Sequence, residues 1–329
     1  MRIPYFDNAR LILIFFVVLG HLIEKTAINN PLCYSVYVFI YLFHIPAFTL
    51  ISGFFSKKAE TIPRKIKNYL IYYLIFEFIY AIALSEKSSM FLVNPYWIMW
   101  YLLSLILWNI MLMFFIKLKH PIVLAFIIGI ATGYINRIAY VLSLSRTFVF
   151  FPFFITGYYL KQSDLDKLNT FNIKALKGFA NEKCCRYAVK CTSATVITSI
   201  FMLVNKFRIP HKWLYGSYSY AALGHPEWYA GVYRLCIYAI TSILCLSIFI
   251  LIPHKKFRFT YIGANSLNTY LLHGIFVMAV PVFIKDTKNI ICVIALALLI
   301  TLLLSTNMAA NALKMPSRIF LRNKSDNNI

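Results

Sequence analysis

Arg10 opens and His21 nearly closes an apolar run that reaches Ile23, an Arg-x10-His spacing on one stretch of sequence. Eleven positions at 3.6 residues per turn bring His21 to within about 20° of Arg10 and about 16 Å farther along the axis. An imidazole can take a proton from a hydroxyl or carry an acyl group covalently, and a guanidinium can hold a phosphate or a carbonyl oxygen. Ionisable groups inside an apolar span are costly and usually face a protein interior or a watery cavity. The plainer alternative has Arg10 snorkelling to the interface as an anchor and His21 packed as a satisfied bundle histidine. Glu24, three residues after His21 and about 60° around the helix, either orients that imidazole or sits as an ordinary interfacial acid. Asp7 and Asn8 precede Arg10 and are expected to cap the helix, with pairing to Arg10 as the other option.

Two further histidines join His21 near the expected mid-depth of the spans, His44 and His273. His44 lies in Phe43-His44-Ile45-Pro46, where the proline removes a donor and is expected to free the Leu42 carbonyl and kink the helix. The imidazole could bond that carbonyl, or His44 and His273 could stabilise an oxyanion. Glu77, the one carboxylate in its span, must find a donor. Trp97 and Trp100 have the composition of an aromatic belt, but they and Arg146, at the head of Phe148-Val149-Phe150-Phe151, would also suit a sugar ring. The segment Trp213 to Tyr220, with His225 and Trp228 nearby, repeats that composition.

These side chains need a scaffold that crosses a membrane. With 60% hydrophobic and 13% charged residues, and unbroken apolar runs in place of alternating faces, the 329-residue chain reads as an all-α polytopic membrane protein of about ten helices. Runs and breakers give spans at about 10–28, 34–55, 69–84, 97–116, 121–136, 147–160, 189–205, 231–252, 263–284 and 289–312. With both termini cytoplasmic, the cytoplasmic pieces and Lys190 beside them hold 23 of the 33 Lys and Arg, a strong positive-inside bias. The net charge of +22 is therefore dispersed among short loops and points to anionic lipid headgroups, with no nucleic-acid partner. Residues 1–312 read as one membrane domain with a basic tail at 313–329, and the first span reads as retained, with no signal peptide. Seven cysteines, among them Cys184, Cys185 and Cys191 on the reducing side, lack metal-ligand spacing, so neither a disulfide there nor a metal is expected.

Taken together, Tyr5 to Arg10, Val18 to Glu24, Phe43 to Phe48, Ile51-Ser52-Gly53-Phe54-Phe55, Trp97 to Leu102, Arg146 to Tyr159 and Ile262 to Gly274 resemble the membrane acyltransferase-3 family. Within it the likeness is to O-acetylases similar to fucose 4-O-acetylase. The resemblance implies a plasma-membrane enzyme, of bacterial type, that moves an acyl group, acetyl in the usual case, from cytoplasmic acetyl-CoA to a glycan or lipid-linked sugar hydroxyl. It implies Arg10 and His21 as the functional pair, with no resident cofactor. On this reading Glu24 and His44 assist catalysis, Arg10, Arg64, Lys65 and Lys67 meet the CoA, and Arg146, Trp97, Trp100 and His273 meet the acceptor. Capsule, exopolysaccharide, cell-wall polymer and lipid-linked sugar all fit as acceptor, and a succinyl donor fits as well. A transporter or flippase of a lipid-linked sugar is the rival class, since it too carries polar groups at mid-depth and a broken helix. A bare assembly partner is a third.

Overall fold

The computed structural model describes residues 3–27, 30–83, 93–138, 141–164, 182–283 and 290–306. The tail at 313–329 and the middle of the 161–188 connection lie outside them. The described helices are α1 (Pro4–Ala27), α2 (Pro31–Phe54), α3 (Ile62–Ala83), α4 (Trp100–Phe115), α5 (Pro121–Ala131), α6 (Leu144–Tyr159), α7 (Glu182–Phe207), α8 (Lys212–Tyr215), α9 (Ala230–Leu251), α10 (Thr260–Ala264), α11 (Ser266–Phe283) and α12 (Ile290–Leu304). Each of the ten expected spans overlaps these helices, the one at 263–284 being divided between α10 and α11, and among the described residues seven helical stretches are long and apolar enough to cross a membrane. The protein is an all-α polytopic membrane protein.

Three limits differ from expectation. The first helix begins at Pro4, so Asp7 and Asn8 stand inside it and cap nothing: Asp7 pairs with Arg10 at 3.2 Å, and Asn8 donates to the Pro253 and Lys255 carbonyls at 2.7 and 3.0 Å. His21, six residues short of Ala27, therefore stands about 9 Å from the outer end of α1, off mid-depth. The second helix starts at Pro31 because Asn30 caps it, accepting from the Leu32 and Cys33 amides at 2.9 and 3.2 Å. The expected span 121–136 breaks early into a 3-10 turn at Thr132–Tyr134, where Thr132 Oγ1 donates back to Ile128 at 2.7 Å and Gly133 lies beneath the Tyr220 ring.

The site is positioned by α1, α2, α6 and α11. Alternation of the helices brings like ends together: Asn8 meets the 253–255 segment, Lys57 donates to the Leu160 carbonyl and Lys65 to that of Phe55, all at one end. At the opposite end Ser35 donates to Asn205 at 2.8 Å, Tyr34 to Ile209 at 3.0 Å and Ser145 to Gly216 at 2.8 Å. The basic loops collect at the first end, as the charge bias requires. Lipid offers no hydrophobic drive for helix association, so close approach has to supply packing contacts. Where α2 crosses α6, a Cβ on Gly53 would fall 1.9 Å from the Phe154 carbonyl oxygen and one on Gly157 1.9 Å from that of Leu50. Where α10 meets α1, a Cβ on Gly263 would fall 1.6 Å from the Asp7 carbonyl, one turn below Arg10.

Candidate active site

His21 is held from several sides. Its Nδ1 faces Glu24 Oε2 at 3.5 Å, and its ring lies 4.9 Å from Trp97, 5.3 Å from His273 and 6.4 Å from Tyr41. An ionised carboxylate only accepts, so this contact is made by a ring with its hydrogen on Nδ1, and when that ring is neutral Nε2 keeps its lone pair. Glu24 thus stands where the orienting role needs it.

Two cavities meet at this imidazole. One of about 220 Å³ runs from Arg10 past Ile14 and Val17 to His21, walled by Phe48, Tyr69, Tyr101 and Tyr270. The second, about 90 Å³, lies on the other side of His21 among Glu24, Tyr41, Trp97, Arg146, Phe150 and Tyr215. His21, Ile45 and Trp100 border both. The Arg-x10-His spacing therefore spans one cavity along a single helix face. Neither reaches the roughly 300 Å³ at which whole ligands are usually enclosed, so each has room for an arm of a substrate.

At the far end of the larger cavity, Arg10 bonds Asp7 and lies over the Phe55 ring at 4.5 Å, with its side chain 24% exposed. It is neither a free interfacial anchor nor fully enclosed. Ser52 and Tyr101 share a hydrogen bond of 3.1 Å on the wall. Of the basic residues expected at this mouth, Lys65 donates to the Phe55 carbonyl, next to Arg10, while Arg64 and Lys67 are exposed and border neither cavity.

In the smaller cavity, Arg146 stands over Trp100 at 4.9 Å and reaches Ser217 Oγ at 3.5 Å. Both tryptophans face inward, not into an aromatic belt. Trp97 has left-handed backbone, φ 30°, and its turn is held at both ends: the Tyr96 amide donates to Glu77 at 2.8 Å and Tyr270 to the Ile98 carbonyl at 2.6 Å. Glu77 has thus found its donor, and its bond fixes the indole beside His21. The outer segment contributes Leu214 and Tyr215 to the wall, but Trp213 is buried against Tyr220 and Arg234, as core rather than a sugar platform.

His44 and His273 are both enclosed and border neither cavity. His44 Nδ1 bonds the Ile40 carbonyl at 2.7 Å, one turn back and not at Leu42, and α2 continues as helix through Pro46. The His44 ring touches Tyr41 at 4.8 Å, behind the cavity wall. His273 Nδ1 bonds the Thr269 and Tyr270 carbonyls at 3.0 and 2.7 Å. Carbonyls only accept, so in each neutral ring Nδ1 is the N–H and Nε2 is bare. In those neutral rings neither histidine has an N–H left to give an oxyanion, and neither lines a cavity where an acceptor would sit.

Residue types alone passed over the tyrosines. Tyr37 and Tyr215 share a 2.6 Å hydrogen bond above the smaller cavity, and Tyr41 and Tyr101 line the walls. One signal was present: Tyr37, Tyr41 and His44 follow the spacing of one helix face.

The sequence profile of the acyltransferase domain family matches residues 3–309 of this chain. No curated protein and no solved structure matches it. A match across nearly the whole chain places the protein in the membrane acyltransferase-3 family.

Proposed function

We propose that this membrane acyltransferase takes an acetyl group from cytoplasmic acetyl-CoA and delivers it to a hydroxyl of a glycan or lipid-linked sugar on the opposite face of a bacterial plasma membrane. The observation that carries the reading is the pair of cavities meeting at His21, one reaching Arg10 at the basic end of the bundle. A thioester arm fits the larger cavity with its charged nucleotide left outside, where Arg10 holds a phosphate or the pantetheine carbonyl and Lys65, Arg64 and Lys67 supply positive field. The acceptor hydroxyl enters from the smaller cavity, its ring against Trp100 and Trp97 and its polar substituents on Arg146.

A hydroxyl is a poor nucleophile, so His21 acts as general base. Its Nε2 takes the hydroxyl proton as the oxygen attacks the thioester carbonyl; the C–S bond breaks, and the proton passes from His21 to the departing thiolate. Glu24 holds Nδ1 and steadies the imidazolium. The oxyanion is left to groups with hydrogens to give beside His21, among them Arg146 and the Tyr41 hydroxyl on the wall of the smaller cavity.

The test is acetyl ester formed from radiolabelled acetyl-CoA by the purified chain, with the surface polysaccharide of the producing cells as acceptor. His21→Ala is expected to insert normally and to lower kcat by about 10³-fold, within the range for general base catalysis. Normal ester formation by that variant rejects the base role of His21, and glycan movement without CoA release rejects the reading in favour of a flippase.

A further inference from the structure

The segment Pro253-His254-Lys255-Lys256-Phe257-Arg258-Phe259 joins α9 to α10 at the basic end of the bundle. Lys255 to Phe259 are all exposed, Phe257 by 42% and Phe259 by 45%. Three cations interleaved with two bare rings are what a phosphorylated nucleotide needs, charge-assisted bonds for phosphate and a flat face for a base. By composition the segment would equally suit anionic lipid headgroups. The way it is held separates the two readings.

The loop is clamped onto α1. Asn8, buried at 1% exposure, donates to the Pro253 and Lys255 carbonyls at 2.7 and 3.0 Å and accepts from Thr260 Oγ1 at 2.7 Å. Thr260 Oγ1 in turn accepts from the Phe257 amide at 2.9 Å, and the His254 ring stacks on Tyr5 at 4.2 Å. The Phe257 and Phe259 rings meet edge to face at 6.5 Å, with the Arg258 guanidinium 6.0 Å from Phe259. These bonds fix the loop against the turn of α1 that carries Arg10, two residues after Asn8. From the loop α10 runs to Ala264, which lines the larger cavity together with Arg10. A headgroup anchor works from any point on the basic rim, whereas a nucleotide site has to stand at the Arg10 end of that cavity. Other cations at this end are less suited: Lys57 and Lys65 donate to the Leu160 and Phe55 carbonyls, and Arg64 and Lys67 border neither cavity.

We propose that Lys255 to Phe259 form the docking site for the nucleotide of the acyl-CoA donor, Phe257 and Phe259 taking the adenine and Lys255, Lys256 and Arg258 the phosphates. The proposal rests on the donor reading given above. The cavity of about 220 Å³ takes the thioester arm, and the loop takes the part left outside, with Arg10 at the boundary between them.

The experiment uses the full chain in phosphatidylcholine nanodiscs. Binding is measured for coenzyme A and for dephospho-coenzyme A, which lacks the ribose phosphate. Turnover onto the producing cells' surface polysaccharide is measured with acetyl-CoA and with acetyl-pantetheine, which lacks the nucleotide. Combined Lys255→Ala, Lys256→Ala and Arg258→Ala are expected to raise Kd for coenzyme A about 10- to 100-fold and to narrow its advantage over dephospho-coenzyme A. Combined Phe257→Ala and Phe259→Ala are expected to raise both Kd values alike, about 10-fold. In both variants kcat at saturating acetyl-CoA and turnover of acetyl-pantetheine stay at the wild-type level, and thermal midpoints show that they are folded. Unchanged affinity for coenzyme A, or an equal loss with acetyl-pantetheine, would overturn the proposal while the donor reading stands. Unchanged affinity together with loss of the thermal stabilisation that phosphatidylglycerol gives the wild type would make the loop a lipid anchor instead. A wild-type chain that binds no coenzyme A would overturn the donor reading itself, and the proposal with it.

Discussion

At the scale of single residues, the proposed function has the two arginines divide the substrates between them. Arg10 stands at one cavity's far end and Arg146 on the wall of the other, so a change at each should affect a different KM. Arg10→Ala is expected to raise KM for acetyl-CoA about 10-fold or more with the acceptor KM little changed, and Arg146→Ala the reverse; a charge-assisted contact is worth about this much. Steady-state kinetics with each substrate varied in turn decides it. The Arg10–His21–Glu24 row was legible in the sequence because all three sit on one helix, where spacing alone sets distance and face. Which partners the side helices would bring was not. His44 has a plausible type and depth, yet its i−4 bond to Ile40 turns it away, and that choice depends on how α2 packs. Trp97 and Trp100 resemble belt residues by composition, and only the turn pinned by Glu77 and Tyr270 points Trp97 inward.

Among the elements, the crossing of α2 and α6 sets the site, since α2 carries Tyr41 and Ile45 and α6 carries Arg146 and Phe150. Gly53→Val has no room, with its Cβ falling 1.9 Å from the Phe154 carbonyl, so the backbones must part. Overpacking of this kind costs about 1–3 kcal/mol. The variant should melt several degrees lower in detergent and lose activity with it. Gly20→Ala serves as the contrast, because its Cβ would meet Ile40 at 3.4 Å, and its melting should be close to wild type. Wild-type melting of Gly53→Val would contradict the close crossing. Helix existence was readable from apolar runs because lipid forces backbone bonds to close within a segment. Helix limits were less so: Asn30-Pro31 is a readable start signal that an apolar-run criterion passes over, and the extension of α1 to Pro4 is driven by tertiary bonds of Asn8 that no local pattern announces.

For the whole molecule, alternating helices gather the basic loops at one end and the aromatic segment with α8 at the other, with His21 between the two cavities. The charge bias made this polarity legible, and the family profile over residues 3–309 makes the protein a membrane acyltransferase. The central claim is that one imidazole serves a donor from the basic end and an acceptor from the opposite end. Inverted membrane vesicles test it most directly, with acetyl-CoA added outside, on the face bearing Arg10, and glycan acceptor enclosed within. The account predicts acetyl ester on the enclosed glycan, absent with His21→Ala and absent when acetyl-CoA is confined to the lumen. Ester formed only when donor and acceptor share one side, or glycan crossing without release of CoA, would contradict it.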